Sequence, residues 1–174
     1  AKFTRRMLFF FFFKSLYNKE IYDYARSRLI DRYVDTNITD EQLTRFLLND
    51  FIRYYRTITT DFEYKVSEAG KSWGLRNIKL TFSRKILYFA GVLAVAETYK
   101  KKREDKIKTL QELLELSPIE RIEKICKSNE NALYLYDEFL SKISDDKTRK
   151  ILEKVQREER KNCTEYVELK NRSK

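Results

Sequence analysis

Apolar residues recur along this chain at steps of three and four, and that spacing predicts helices from end to end. Ile21, Tyr22, Ala25, Leu29 and Tyr33 fall on one face of a helix over 19–34, with Asn18 placed to cap it. Thr36-Asn37 breaks the pattern. Thr39, with Gln42 three residues on, has the form of a capping box. It opens a third helix over 40–67, whose apolar side carries Leu43, Phe46, Leu47, Phe51, Tyr54, Ile58, Phe62 and Val66. Gly70 is its stop.

A fourth helix is predicted over 75–102. Its middle, Ala90-Gly91-Val92-Leu93-Ala94-Val95-Ala96, is rich in small residues and lets another helix come close. A fifth continues to Leu116. Ser117-Pro118-Ile119-Glu120 is a strong start signal, with a cap, Pro at the first helical position and Glu at the third. Helices follow over 118–127, over 131–143 and from 147 onward, the last anchored by Ile151, Leu152 and Val155. Ser144-Asp145-Asp146 reads as a short loop ending in the cap of that last helix. At the other end, a helix over 3–14 holds five consecutive phenylalanines, Phe9 to Phe13, too apolar on every side to be anything but core.

The expected fold is therefore all-α, a multi-helix bundle with two long central helices, the third and fourth, packed antiparallel across the Gly70–Gly74 turn. Composition agrees. The chain has 174 residues with Gly 3 and Pro 1, against roughly 12 and 9 from average usage. Strand-and-turn architectures need those residues at their corners.

The length suits a single helical domain over 1–174. The start at Ala1, directly inside an apolar pattern, reads as a fragment or C-terminal part of a longer protein. Leu8 to Phe13 cannot all be buried by one helix face, so part of that run is expected against a missing N-terminal domain or a second copy of the chain. No membrane segment is predicted: Met7–Phe13 and Ile86–Ala96 are both far short of the ~20 residues a span requires. Two cysteines, Cys126 and Cys163, without a secretory segment read as free thiols in the cytoplasm.

Net charge is +10 and unevenly placed. Residues 1–102 hold 20 Lys and Arg against 11 Asp and Glu, whereas 103–174 hold 17 against 16. The basic 1–102 part is the groove-forming half and 103–174 a neutral helical extension, so an anionic partner meets the front. Histidine is absent, which removes imidazole-based metal sites and Ser-His or Cys-His catalysis. No Gly-rich phosphate loop or nucleophile elbow occurs. Asp61 and Glu63, two apart on a helix, point in different directions and make no metal pair.

The candidate chemistry lies in narrow polar stripes. Asn49, Arg53, Arg56, Thr57, Thr60, Asp61 and Tyr64 share one face of the third helix; Asn77, Thr81, Arg84 and Tyr88 share one face of the fourth, with Arg76 and Lys79 beside them. Unpaired charge in a cleft is expensive, so either a ligand or the chain's own carboxylates must satisfy it. Arg forks match phosphate oxygens, and Tyr54, Tyr55, Tyr64 or Trp73 could stack on a base. Alternatively, Asp50, Asp61 and Glu63 neutralise Arg53, Arg56 and Arg84 in a structural network.

Phe3-Thr4-Arg5-Arg6-Met7-Leu8, Tyr17-Asn18, Ile30-Asp31-Arg32-Tyr33, Leu47 through Thr57, and Trp73-Gly74-Leu75-Arg76-Asn77-Ile78-Lys79-Leu80 with Ser83-Arg84-Lys85 resemble the helical C-terminal region of bacterial nucleotidyltransferase-like proteins. In these a polymerase-beta-type catalytic domain lies N-terminal. The resemblance covers roughly residues 3–100. It implies the substrate-side helical part of such a protein, with Arg53, Arg56, Arg76, Asn77, Lys79 and Arg84 facing a nucleotide cleft. The Gly-Ser turn and paired Asp residues of the catalytic half are not in this chain, so no catalytic residue is assigned, and Mg would accompany the nucleotide only if the catalytic domain is present. Three functions follow: a nucleotide-binding domain accompanying a nucleotidyltransferase; a protein interaction module whose stripes are internal salt bridges; and a nucleic-acid-binding domain using the basic front half.

Overall fold

The computed structural model describes residues 2–11, 18–127 and 130–173, with the side chains of 2–5 and 130–132 left aside. Phe12, Phe13 and Lys14 of the expected first helix lie outside the described residues. Among the described residues every regular element is helical and none is a strand, so the all-α expectation holds. The elements are α1 (Lys2–Phe11), α2 (Lys19–Tyr33), α3 (Arg45–Ser67), α4 (Trp73–Lys79), a π-turn (Leu80–Arg84), α5 (Lys85–Ala96), α6 (Arg103–Glu115), α7 (Pro118–Cys126), α8 (Glu130–Ser144), α9 (Asp146–Lys154) and α10 (Thr164–Arg172). No helix is long and apolar enough to cross a membrane among the described residues.

The start signals are satisfied locally. Asn18 Oδ1 accepts from Ile21 N–H at 3.1 Å. Ser117 Oγ accepts from Glu120 N–H while the Glu120 carboxylate accepts from Ser117 N–H, a complete capping box. Asp145 Oδ2 accepts from Thr148 N–H at 2.8 Å. Gly70 sits at φ +59°, where a side chain would be strained.

Three boundaries differ from expectation. Gln42 Oε1 accepts from Thr39 N–H, but this closes only a turn, and α3 begins at Arg45. The fourth helix is not one rod over 75–102: the π-turn interrupts it and it ends at Ala96, where Thr98 turns its hydroxyl onto Val95 C=O at 2.6 Å. The last helix divides into α9 and α10, because apolar spacing lapses between Val155 and Cys163.

The chain packs as two compact units, residues 1–54 with 87–127, and residues 55–86 with 128–174. The packing boundary therefore differs from the charge boundary at residue 102. In the first unit, Met7, Phe10 and Phe11 are buried. Phe10 meets Tyr33 and Phe51 edge-on and Phe11 stacks on Tyr54 at 5.7 Å, so the described part of the Phe run is used inside its own unit. Ala90, Gly91 and Ala94 are buried as expected. Gly91 makes room for aromatic rings: a Cβ there would lie 2.9 Å from the Phe51 ring and 3.1 Å from that of Phe11.

Buried cations hold the chain ends of the first unit's helices. Lys106 Nζ donates to Thr98 C=O at 2.6 Å and Asp40 C=O at 2.9 Å. Arg121, fully buried, donates to Leu113 and Leu116 carbonyls at the end of α6. Carbonyls in a helix's last turn lack the usual intrahelical donors; Leu113 C=O also accepts from Leu116 N–H at 3.3 Å. Burial pulls the Arg121 guanidinium down to about 10, still a cation at neutral pH.

The second unit closes around Phe62, Trp73, Leu75, Ile78, Phe82, Phe139, Leu152, Val155, Tyr166 and Leu169. Phe82, within the π-turn, stacks on Phe139 at 4.6 Å with ring planes 4° apart. Gly74 is the tightest point. Its N–H donates to Val155 C=O at 3.0 Å, and a Cβ there would lie 2.6 Å from Leu152 C=O.

Candidate functional site

Gly74's approach to the end of α9 sets α4 against α9, and that apposition builds a cavity. The cavity measures about 330 Å³ and is lined by Lys71, Ser72, Leu75, Arg76, Lys79, Arg149 and Glu153. Ile78 and Leu75 face the core, so helical spacing turns Arg76 and Lys79 toward α9. From α9, Arg149 and Glu153, one turn apart, face them.

Charge in this cavity is unbalanced. Four cations line it against one carboxylate, and that carboxylate is already engaged: Arg149 Nε donates to Glu153 Oε1 at 3.2 Å. Burial pushes the Lys79 ammonium below the ordinary lysine range, Arg149 and Arg76 push it further, Glu153 offsets part of this and Arg84 adds to it. Both causes act against the charged form, and both are relieved by an anion.

The predicted site residues divide. Arg76 and Lys79 line the cavity. Arg84 is exposed and belongs to the charge field around Lys79. Asn77 does not reach the cavity: its Oδ1 accepts from Tyr166 Oη at 2.9 Å, and Thr81 Oγ1, one turn on, accepts from Lys170 Nζ at 2.9 Å. This part of the stripe fastens α10. The π-turn adds a residue to the turn before Arg84 and so takes Arg84 off the face that Asn77 and Thr81 share.

Trp73 is not a stacking platform in this conformation. It is 5% exposed and packs on Tyr166 with ring centroids 5.3 Å apart. Tyr64 is exposed on α3, and Arg56 is exposed with its carbonyl accepting from the Thr59 and Thr60 hydroxyls. Neither lines the cavity. Asp61 pairs with Lys65 at 2.5 Å and Glu63 with Arg157 at 3.7 Å, so these acids serve other cations than Arg56 and Arg84.

Arg53 belongs to the first unit and to a centre there whose buried acid is fully paired. Asp50, buried, accepts from Tyr33 Oη at 2.6 Å and from Arg53 at 3.2 Å, with Arg6 at 3.6 Å. Burial and the bond to Asp50 push the Tyr33 hydroxyl well above its ordinary range.

Arg149 and Glu153 escape a stripe-by-stripe reading because residues 80–145 separate α4 from α9, and Lys71 because it lies outside either helix. One signal was present. Between Ala69 and Ala96 the chain carries Lys71, Arg76, Lys79, Arg84 and Lys85 and no Asp or Glu, so no local acid can neutralise that segment.

A second cavity, about 390 Å³, is lined by Ile151, Lys154, Val155, Glu159, Asn162, Cys163, Thr164 and Glu165. One lysine faces two glutamates there, and burial pushes the Cys163 thiol up, away from the nucleophilic thiolate. Among the described residues no cluster of acids or cysteines suits a metal ion. No family model, curated protein or solved structure matches this chain.

Proposed function

We propose that this chain is a helical phosphate-binding module, and that its ligand is a nucleotide or comparable polyanion held between α4 and α9. One observation carries the reading: four cations converge on a cavity whose single carboxylate is already paired, so positive charge is left facing open space. The resemblance to bacterial nucleotidyltransferase-like proteins supports the narrower role, the substrate side of a nucleotidyl transfer whose catalytic carboxylates lie on another domain. Free thiols at Cys126 and Cys163 suit the reducing cytoplasm. The donor set does not fit Mg²⁺, which wants carboxylate and water oxygens, so any metal would be held elsewhere.

The salt-bridge reading is favoured for the other half of the stripes. Asp50 gathers Tyr33, Arg53 and Arg6, which makes Arg53 a structural residue rather than a ligand contact.

Calorimetric titration of ATP into the full chain tests the proposal. Saturable binding is expected at one site, lost in the double variant Arg76→Met/Arg149→Met. No saturable heat in the parent, or unchanged affinity in the double variant, would overturn it.

A further inference from the structure

We propose that Glu153 is an intramolecular competitor for the ligand: its carboxylate occupies Arg149 until a phosphate group displaces it, and the pocket recognises phosphate without reading a base. This rests on the phosphate-binding reading above.

The Arg149–Glu153 contact joins side chains about half exposed, 52% and 43%, one helical turn apart. Such a pair is weak and easily exchanged. A monocarboxylate offers Arg149 nothing that Glu153 does not already supply. A phosphate with two negative charges and three acceptor oxygens offers more: it can engage the guanidinium forks of Arg76 and Arg149 together while relieving the repulsion on Lys79. Ser72 adds a donor. Its Oγ is buried with no hydrogen-bond partner among the described residues, and Ser72 lines the same cavity. A hydroxyl in that position can turn its proton toward a phosphate oxygen. The base is left outside because no aromatic side chain among the described residues lines the cavity. Trp73, beside Ser72, is committed to the core.

The test titrates inorganic tripolyphosphate, and separately ATP, into the full chain at low ionic strength. It compares the parent with Glu153→Gln and with Asp137→Asn, an exposed acid of α8 that does not line the cavity and controls for one lost negative charge. Glu153→Gln is expected to tighten tripolyphosphate about five- to tenfold, and Asp137→Asn less than about twofold. Glu153→Ala should act like Glu153→Gln and covers the case in which Gln keeps the Arg149 contact. ATP should bind the parent within about threefold of tripolyphosphate. Equal tightening in the Glu153 and Asp137 variants, or none at Glu153, overturns the competitor. ATP binding more than about tenfold tighter than tripolyphosphate overturns phosphate-only recognition and leaves the anion-binding reading standing. Failure of both ligands to bind the parent removes that reading and this inference with it.

Discussion

The two units each gather arginine and lysine, and they treat that charge in opposite ways. Around Asp50 in the first unit, Arg6 and Arg53 converge on a buried carboxylate that Tyr33 also holds. Around Lys79 in the second, Lys71, Arg76, Lys79 and Arg149 share a cavity with one engaged carboxylate. In the first centre a buried acid is paired and adds to the fold; in the second, cations outnumber their acid in an open cavity and oppose it. A stripe of cations therefore acquires meaning only once its acids are located. Arg53 has Asp50 three residues before it on the same helix face, whereas Arg76 and Lys79 lie in a long segment free of acids.

The largest expected effect comes from breaking the apposition that makes the open centre. In Gly74→Ala the new Cβ meets backbone, Leu152 C=O, at 2.6 Å, and backbone cannot step aside as a side-chain tip can. A denaturant melt should show a loss of about 3 kcal/mol, and phosphate binding should be lost with it. A variant of parental stability would mean that α4 and α9 are not held as described.

Next in size is the centre around Asp50. Asp50→Ala leaves the Tyr33 hydroxyl without its acceptor and Arg6 and Arg53 without their counter-ion. The expected cost is about 2–3 kcal/mol, since the acid is buried but its arginines are largely in water. Polyanion affinity should not change. A fall in affinity would tie the two centres together and break the contrast.

Smaller still is the pH response of Lys79. Its pKa is lowered in the fold by burial first and then by Arg149 and Arg76, so the folded state favours the neutral amine. The resulting penalty is present at neutral pH, where the group is charged in both states. It is relieved as pH rises through the lowered folded value toward the unfolded lysine range. Stability of the parent should accordingly gain on Lys79→Met as pH climbs through that window, while polyanion affinity of the parent declines there as the ammonium is lost. Calorimetry and melts across the alkaline range check both signs.

Much of the fold was legible because its signals are local. Asn18, Ser117, Asp145 and Gly70 mark helix ends through groups within four residues of themselves. The π-turn was not legible, since nothing in Leu80-Thr81-Phe82-Ser83-Arg84 forbids an ordinary helix; its partners, Phe139 and Lys170, come from α8 and α10. Trp73 shows the same limit for the site. Its type and neighbours suit a ring platform, and only the position of Tyr166 reveals it as core. Arg76 and Lys79 could be picked out by spacing, but Arg149 could be joined to them only through Gly74's close approach to α9.

The most direct test is a single paired titration of ATP into Arg53→Ala and Lys79→Met, each with a melt. Arg53 is 65% exposed and Asp50 keeps Tyr33 and Arg6 without it, so Arg53→Ala should cost under about 1 kcal/mol and bind like the parent. Lys79→Met should be at least as stable as the parent at neutral pH, because it removes a penalised charge, and lose binding by tenfold or more, about 1.4 kcal/mol. Binding lost in Arg53→Ala and kept in Lys79→Met would contradict the assignment of the open centre to the pocket between α4 and α9.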